Sequence, residues 1–299
     1  MSEVDPTGEA TGTPLPFEAL QAAPGTRNIR LTIAYDGTDY SGWQVQPARP
    51  SVQACVEQAI LKITGEQRRL YCAGRTDAGV HALGQEANFY TLSRIPAPSF
   101  RRALQTELPD DIVVVRSQEV HLGFHATFSA VCKRYRYVIH DGEVCPPFLR
   151  RYCAHSRFRL DAERMQQATA CLLGTHDFRC FEKEYPNKLT SVRTIMDARV
   201  YRSSCWPMWQ SAHTWGQPTT ESGAADGPFV IFEVMADGFL YNMVRAIVGT
   251  LTDIGRGRQP IDYLRTVIQS LDRAAAGMTA VPEGLYLVNV DYGDTDATT

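Results

Sequence analysis

Asp77 stands in the run Gly74-Arg75-Thr76-Asp77-Ala78-Gly79-Val80-His81, directly after the apolar Leu70-Tyr71-Cys72-Ala73. One carboxylate is thus presented on a short turn between two strand-like runs, with Arg75 two residues before it and a glycine on either side. Glycine takes backbone conformations other residues avoid and lets a large ligand approach closely. A carboxylate held in such a turn can attack an electrophilic carbon or remove a proton. An aspartate in a turn also has an ordinary explanation, because its side chain bonds nearby backbone N–H groups.

Arg245 is the second position of interest. Leu240, Met243, Val244, Ile247, Val248 and Leu251 mark one apolar stripe of a helix over about 240–254, and Arg245 interrupts it. An unpaired buried cation costs several kcal/mol or more, so such a group needs a partner. A carboxylate such as Asp77 would satisfy it; snorkelling to the surface is the other solution. Third, Tyr135 and Tyr137 share one face of the strand Lys133-Arg134-Tyr135-Arg136-Tyr137 and Arg134 and Arg136 the other. The tyrosines are either core aromatics or a ring for stacking on a base with a hydroxyl to handle a proton.

The elements that position these groups follow from periodicity. Ile29, Leu31, Ile33 and Tyr35 alternate with Arg30 and Thr32, the period-two sign of a half-buried strand. Ser51 can cap a helix whose apolar positions Val52, Cys55, Val56, Ala59, Ile60 and Ile63 share a face, with Gly65 ending it. Strands are expected leading into the Asp77 turn, over 84–91 and over 111–120, and a helix from near Ser99 to before Pro109. In the second half, strands are expected over 132–140, 192–201, 229–235 and 285–290. Asp161 caps a helix running to Gly174, and Pro260 opens a short helix after the Arg245 helix. This order fits an α+β fold with helices on sheet faces. It divides into a mobile leader (1–27), an N-terminal α+β subdomain carrying Asp77 (28–122), a C-terminal α+β subdomain (123–292) and a tail (293–299). The C-terminal part carries an aperiodic insertion at about 203–228 that includes Trp206, Trp209 and Trp215, read as surface packing or a rim contact.

Composition narrows the function classes. The 299 residues suggest about two domains and show no apolar run of membrane-span length and no secretory signal, which points to the cytoplasm. The formal charge is −3, yet residues 1–27 and 291–299 each carry −3, which leaves +3 on residues 28–290. Arginines cluster there beside aromatics, a pattern suited to phosphate contact plus base stacking. The eight cysteines include no C-x-x-C pair and read as reduced thiols, and His121 and His125 lack the surroundings of a metal helix. P-loop, G-x-G-x-x-G and G-x-S-x-G motifs are absent from the sequence.

Taken in order, these residues resemble the tRNA pseudouridine synthase A (TruA-type) family over essentially all of residues 28–292. The similarity is carried by Tyr35-Asp36-Gly37-Thr38, Gly42-Trp43-Gln44, Gly74–His81, Phe124-His125-Ala126 and Phe128-Ser129-Ala130. It continues through Lys133–Tyr137, His176-Asp177-Phe178, Asn242-Met243-Val244-Arg245 and Gly284-Leu285-Tyr286-Leu287. The resemblance implies a pseudouridine synthase fold: two ferredoxin-like α/β subdomains with mainly antiparallel sheets meeting at a central cleft. It also implies isomerisation of uridine to pseudouridine in the anticodon stem-loop of tRNA, by a homodimer, without cofactor or metal. Asp77 would be the catalytic carboxylate, Tyr135 the tyrosine against the target uracil, and Arg245 the basic partner of Asp77. Arg75 would fill the space of the flipped uridine, with Thr76, His81, Arg134 and Leu285 as further substrate-binding positions. The chain departs from the family pattern at Ala246, where Asn is usual, and at Val281-Pro282-Glu283, where a Pro/His-containing run is frequent. Two rivals remain: a non-catalytic tRNA-binding or folding protein on the same scaffold, and an aspartate-dependent hydrolase, which lacks a second carboxylate placed to activate water.

Overall fold

Strand β1 (Arg27–Tyr35) buries Ile29, Leu31 and Ile33 as alternation requires, but its other face is covered too. Arg30 is only 6% exposed, because Glu86 accepts from its Nε at 2.7 Å and from the Thr32 hydroxyl at 2.7 Å. The expected half-buried strand is therefore buried on both faces, a result that depends on a carboxylate far away in sequence. The computed structural model describes residues 23–47, 49–183, 190–206 and 226–293. The leader before residue 23, most of the 203–228 insertion with Trp209 and Trp215, and the tail beyond residue 293 lie outside the described residues.

The described chain is mixed α+β, with mostly antiparallel strand pairing and five α-helices, and it forms two compact units. The first holds residues up to Ala78 and Gln85–Ser129. Here β1 pairs antiparallel with β4 (Ile112–Val120), with a register shift between Thr32 and Ile33, and neighbours β3 (His81–Thr91). The short β2 (Tyr71–Cys72) pairs antiparallel with β3 through Asn88 and Ala87. Helix α1 (Val52–Thr64) buries Val52, Val56, Ala59 and Ile60. Ser51 caps it by accepting from Ala54 N, and Gly65, at φ +72°, returns its N–H to Leu61 O at 2.8 Å. Helix α2 (Phe100–Gln105) has no side-chain cap of its own; the Ser117 hydroxyl on β4 accepts from Arg101 N at 2.9 Å instead.

The second unit holds Gly79–Gly84 and the residues from Ala130 on. In it the start of β3 pairs parallel with β10 (Leu285–Asp291), through His81 opposite Tyr286 and Ala82 opposite Leu287. Antiparallel pairing then runs from β10 to β5 (Cys132–His140), β9 (Phe229–Ala236), β8 (Val192–Ser203) and β7 (Gly174–Asp177). The two-residue β6 (Ala154–His155) adds parallel to β5. Helix α3 (Ala162–Thr169) is capped by Asp161, which accepts from Arg164 N at 3.0 Å. Helices α4 (Met243–Gly255) and α5 (Tyr263–Ser270) follow; Gly255 lets α4 press on Met165 of α3, where a Cβ would meet the thioether at 2.7 Å. Helix α4 begins three residues later than the apolar stripe suggests, because Asn242 adopts φ +61°. Among the described residues no helix is long and apolar enough to cross a membrane.

Within this unit β5, β8 and β9 enclose a fully buried carboxylate, Glu233. It accepts from Arg136 Nε at 2.6 Å, from Arg199 at 2.7 Å and from the Tyr201 hydroxyl at 3.2 Å. Nearby, buried His140 packs edge-on to Phe229, with ring centroids 5.3 Å apart, and lies beside His155. Burial pulls the His140 pKa below its usual value, His155 adds to this, and Asp141 opposes it. The unfolded chain takes up this proton near pH 6.5 and the folded chain only at lower pH. Below about pH 6.5 the unfolded state thus holds more protons, and stability falls as pH drops. His125, also depressed by burial, acts in the same sense. Thermal unfolding by circular dichroism should give a lower Tm at about pH 5.5 than at about pH 7.5, and His140→Gln should shrink that gap. An unchanged gap would refute the assignment.

Candidate active site

The Asp77 turn is fixed through its neighbours. Trp43 N donates to Thr76 O at 3.1 Å, and the Thr76 hydroxyl hydrogen-bonds the Tyr35 hydroxyl at 2.7 Å. Thr76 is buried, and Tyr35, fully enclosed, has its phenol pKa raised by desolvation and so remains protonated at neutral pH. Gln85 Nε2 holds Gly74 O at 2.6 Å, and Ala73 N donates to Glu86 O at 2.8 Å. Gly42 makes the close approach possible: it sits at φ +102°, and a Cβ there would lie 2.5 Å from Thr76 O and 3.0 Å from the Asp77 carbonyl carbon. The Tyr35-Asp36-Gly37-Thr38 and Gly42-Trp43-Gln44 stretches thus act as the seat of the turn. Asp77 is half-buried, whereas Arg75 is exposed and makes no ion pair among the described residues.

In the second unit Tyr135 lies between Val234 on β9 and Leu287 on β10, so its strand is hydrogen-bonded on both sides. Its ring is 8% exposed and stands edge-on to Phe239, with centroids 5.0 Å apart. Tyr137, two residues on, is fully buried and donates to Val281 O at 2.7 Å; burial raises its phenol pKa, with nearby Arg245 opposing. This makes Tyr137 a structural anchor.

Arg245 is half-buried and its guanidinium is aimed by two bonds: Nε donates to Ala280 O at 2.7 Å and Nη1 to Asn242 Oδ1 at 2.9 Å. Ala280 N in turn donates to Arg245 O at 3.0 Å. Residues 277–281 thereby form a strap across α4. Gly277 N donates to Thr250 Oγ1 at 2.9 Å, and at Gly249 the Met278 carbonyl occupies the space a Cβ would need. Arg245 is therefore held in place by the strap and Asn242, which rules out snorkelling freely along the surface.

The remaining positions take different places. His81 is 2% exposed, hydrogen-bonds Arg151 O through Nε2 at 3.0 Å and stacks on Tyr286 with centroids 4.8 Å apart. Leu285 is buried at the start of β10, opposite Tyr137. Arg134 is 9% exposed and bonds Asp197 at 2.9 Å, with Glu233 at 3.8 Å. Arg134 and Arg136 are thus each held in an internal ion pair. The roles of Tyr35, Gly42, Asn242, Phe239 and the strap are not evident from single positions. The family-like stretches around Tyr35, Gly42 and Asn242, and the i, i+3 spacing of Asn242 and Arg245, are the signals that point to members of this set.

A family model described as tRNA pseudouridine synthase matches residues 31–129 and 168–293. Asp77 and Arg245 lie inside the matched stretches, and Tyr135 lies in the interval between them. The tRNA pseudouridine synthase A of Acetivibrio thermocellus is 46% identical over 266 residues, covering 89% of this chain and 100% of that protein. The protein of the same name from Thermoanaerobacter sp. is 41% identical over 266 residues, with the same coverage of both chains. The tRNA pseudouridine synthase A 2 of Clostridium perfringens is 42% identical, again over 89% of this chain and 100% of its own length. A match of this extent, on a chain whose Asp77 turn and Arg245 helix are each built into a fixed setting, shows that the chain belongs to the tRNA pseudouridine synthase family of isomerases.

Proposed function

We propose that this protein isomerises uridine to pseudouridine in the anticodon stem-loop of tRNA, with Asp77 as the reactive carboxylate. The observation that carries the proposal is the seating of the Asp77 turn on Gly42, Trp43 and Tyr35 in a chain of this family. The N1–C1′ bond breaks, the uracil rotates while held, and C5 bonds to C1′. The C5 proton leaves and N1 ends protonated, so the reaction consumes neither water nor an oxidant. An ionised Asp77 either attacks C1′ or removes the C2′ proton to give a glycal; both routes return the carboxylate unchanged.

In this reading Tyr135 lies against the uracil and helps remove the C5 proton, and Arg245 keeps Asp77 ionised. Arg75, exposed beside Asp77, fills the place of the flipped nucleotide, offsetting unstacking that costs a few kcal/mol. Thr76 acts through the turn it anchors, while His81, Leu285 and Arg134 shape the substrate wall as buried supports. The protein works as a homodimer in the cytoplasm. Carbodiimide-based mapping of unmodified tRNA incubated with the pure protein tests the proposal: new pseudouridines confined to the anticodon stem-loop are expected, and an unmodified product would overturn it. A tRNA-folding role without turnover has no observation in its favour.

A further inference from the structure

Phe128 is 83% exposed, with most of its ring open to water. Its exposure is built in. The turn around it is closed by Ser129 N donating to His125 O at 2.9 Å and His125 N donating to the Ser129 hydroxyl at 3.1 Å. The Thr127 hydroxyl donates to Cys72 O at 2.6 Å, tying the turn to β2. Upstream, buried Asn88 accepts from Ala126 N at 2.8 Å and donates to Asn28 at 2.9 Å. Both neighbours of Phe128 are thus pinned, and the ring between them is held outward.

The ring is not isolated. Its centroid is 4.5 Å from that of His125, tilted by 36°. The His125 ring is in turn 5.0 Å from Tyr71 on β2, and the Arg69 guanidinium lies over Tyr71 at 5.9 Å. His125 Nδ1 accepts from Thr127 N at 3.1 Å, which leaves Nε2 to carry the proton. Burial lowers the affinity of this imidazole for a second proton, so at neutral pH it is an uncharged aromatic ring. All of these residues belong to the unit that carries Asp77, and β2 runs directly into the Asp77 turn. Asp77 is six positions after Tyr71, which limits their spacing to at most about 22 Å.

We propose that Phe128, His125 and Tyr71, with Arg69 at the end of the row, form a stacking platform for an unpaired base of the substrate tRNA. The proposal rests on the reading of the protein as a tRNA-modifying enzyme. Aromatic faces accept any base without sequence preference, and an arginine at the end of the row suits the adjoining phosphate. No member of the row is itself a carboxylate, although half-buried Glu57 acts electrostatically on both Tyr71 and Arg69, and the exposed end of the row is a single ring rather than a broad aliphatic patch suited to a protein partner. Because Phe128 touches the RNA and not the reacting atoms, its contribution belongs to binding.

The test compares Phe128→Ala, Phe128→Leu and Phe128→Trp in the full chain, using unmodified tRNA transcript. Filter binding and steady-state pseudouridine formation give Kd, KM and kcat, and sedimentation gives the oligomeric state. Phe128→Ala should weaken tRNA binding roughly tenfold, the scale of one lost base–aromatic stack, with the loss in KM rather than kcat. Phe128→Trp should restore binding and Phe128→Leu should not, with sedimentation unchanged throughout. Wild-type tRNA affinity in Phe128→Ala, equal rescue by Leu and Trp, or an altered oligomer that accounts for the loss would each overturn the platform. The last outcome would assign the ring to contact with a second copy of the chain. Failure of the wild-type protein to form pseudouridine would sink the functional reading instead, and the Kd series would still report on the platform.

Discussion

Asp77→Asn is expected to abolish pseudouridine formation, lowering the single-turnover rate by at least about 10⁴-fold, while the protein still folds and binds tRNA. The carboxamide has the carboxylate's shape and keeps an acceptor oxygen, but it can neither attack C1′ nor hold a proton at neutral pH. A loss of that size corresponds to about 5.5 kcal/mol of transition-state stabilisation. The fold should survive because the turn is anchored by Thr76, Trp43 and Tyr35 rather than by the chemistry of residue 77. The measurement pairs carbodiimide mapping under single-turnover conditions with filter binding of the same tRNA. A mutant within a few-fold of the wild-type rate would remove Asp77 from the chemistry.

The largest effect on stability is expected from Glu233→Gln. Glu233 is fully buried, and Arg136, whose side chain is 2% exposed, is bound to it at 2.6 Å. Removing the negative charge takes from the buried Arg136 cation a carboxylate bound at 2.6 Å, which costs about 3–5 kcal/mol. Arg199 bonds the same carboxylate at 2.7 Å, but its side chain is 30% exposed and water can take over. Arg199→Gln should therefore cost only about 1 kcal/mol or less. Urea unfolding of both variants checks the contrast; equal destabilisation would show that Glu233 does not depend on burial for its effect. Because Arg136 adjoins Tyr135 on β5, pseudouridine formation in Glu233→Gln should also lose its tolerance to warming before the wild type does.

Local chemistry was legible where it is written in adjacent residues. Ser51, Gly65 and Asp161 cap their helices as their positions suggest, and the strand over 132–140 has the bounds its alternation indicates. Long-range pairing was not legible. Arg30 and Arg136 look like solvent-facing cations along their own strands, and only the cross-strand register brings Glu86 and Glu233 to them. The start of α2 likewise depends on Ser117 of another strand, and the start of α4 on a left-handed Asn242, a conformation no apolar stripe encodes. For the site, the Gly74–His81 run stands out by itself because its residue types are unusual together. Gly42 carries no such signal, since its need for φ +102° arises only from what is packed above it. Edge pieces such as β2 and β6 are two residues long and hold no period at all.

The strap over helix α4 sets an uneven tolerance for change. Met278 is 87% exposed, so its side chain is open to substitution, yet its own carbonyl fills the space above Gly249. A Cβ on Gly277 would meet Thr250 N at 2.6 Å and the Gly249 carbonyl carbon at 2.7 Å. Sequence drift along these few residues is therefore free at one position and blocked at the next. Because the blocked positions also fix Ala280 O against Arg245 and Val281 O against Tyr137, a change of side chain on the outer surface of the strap leaves the aim of the arginine unaltered.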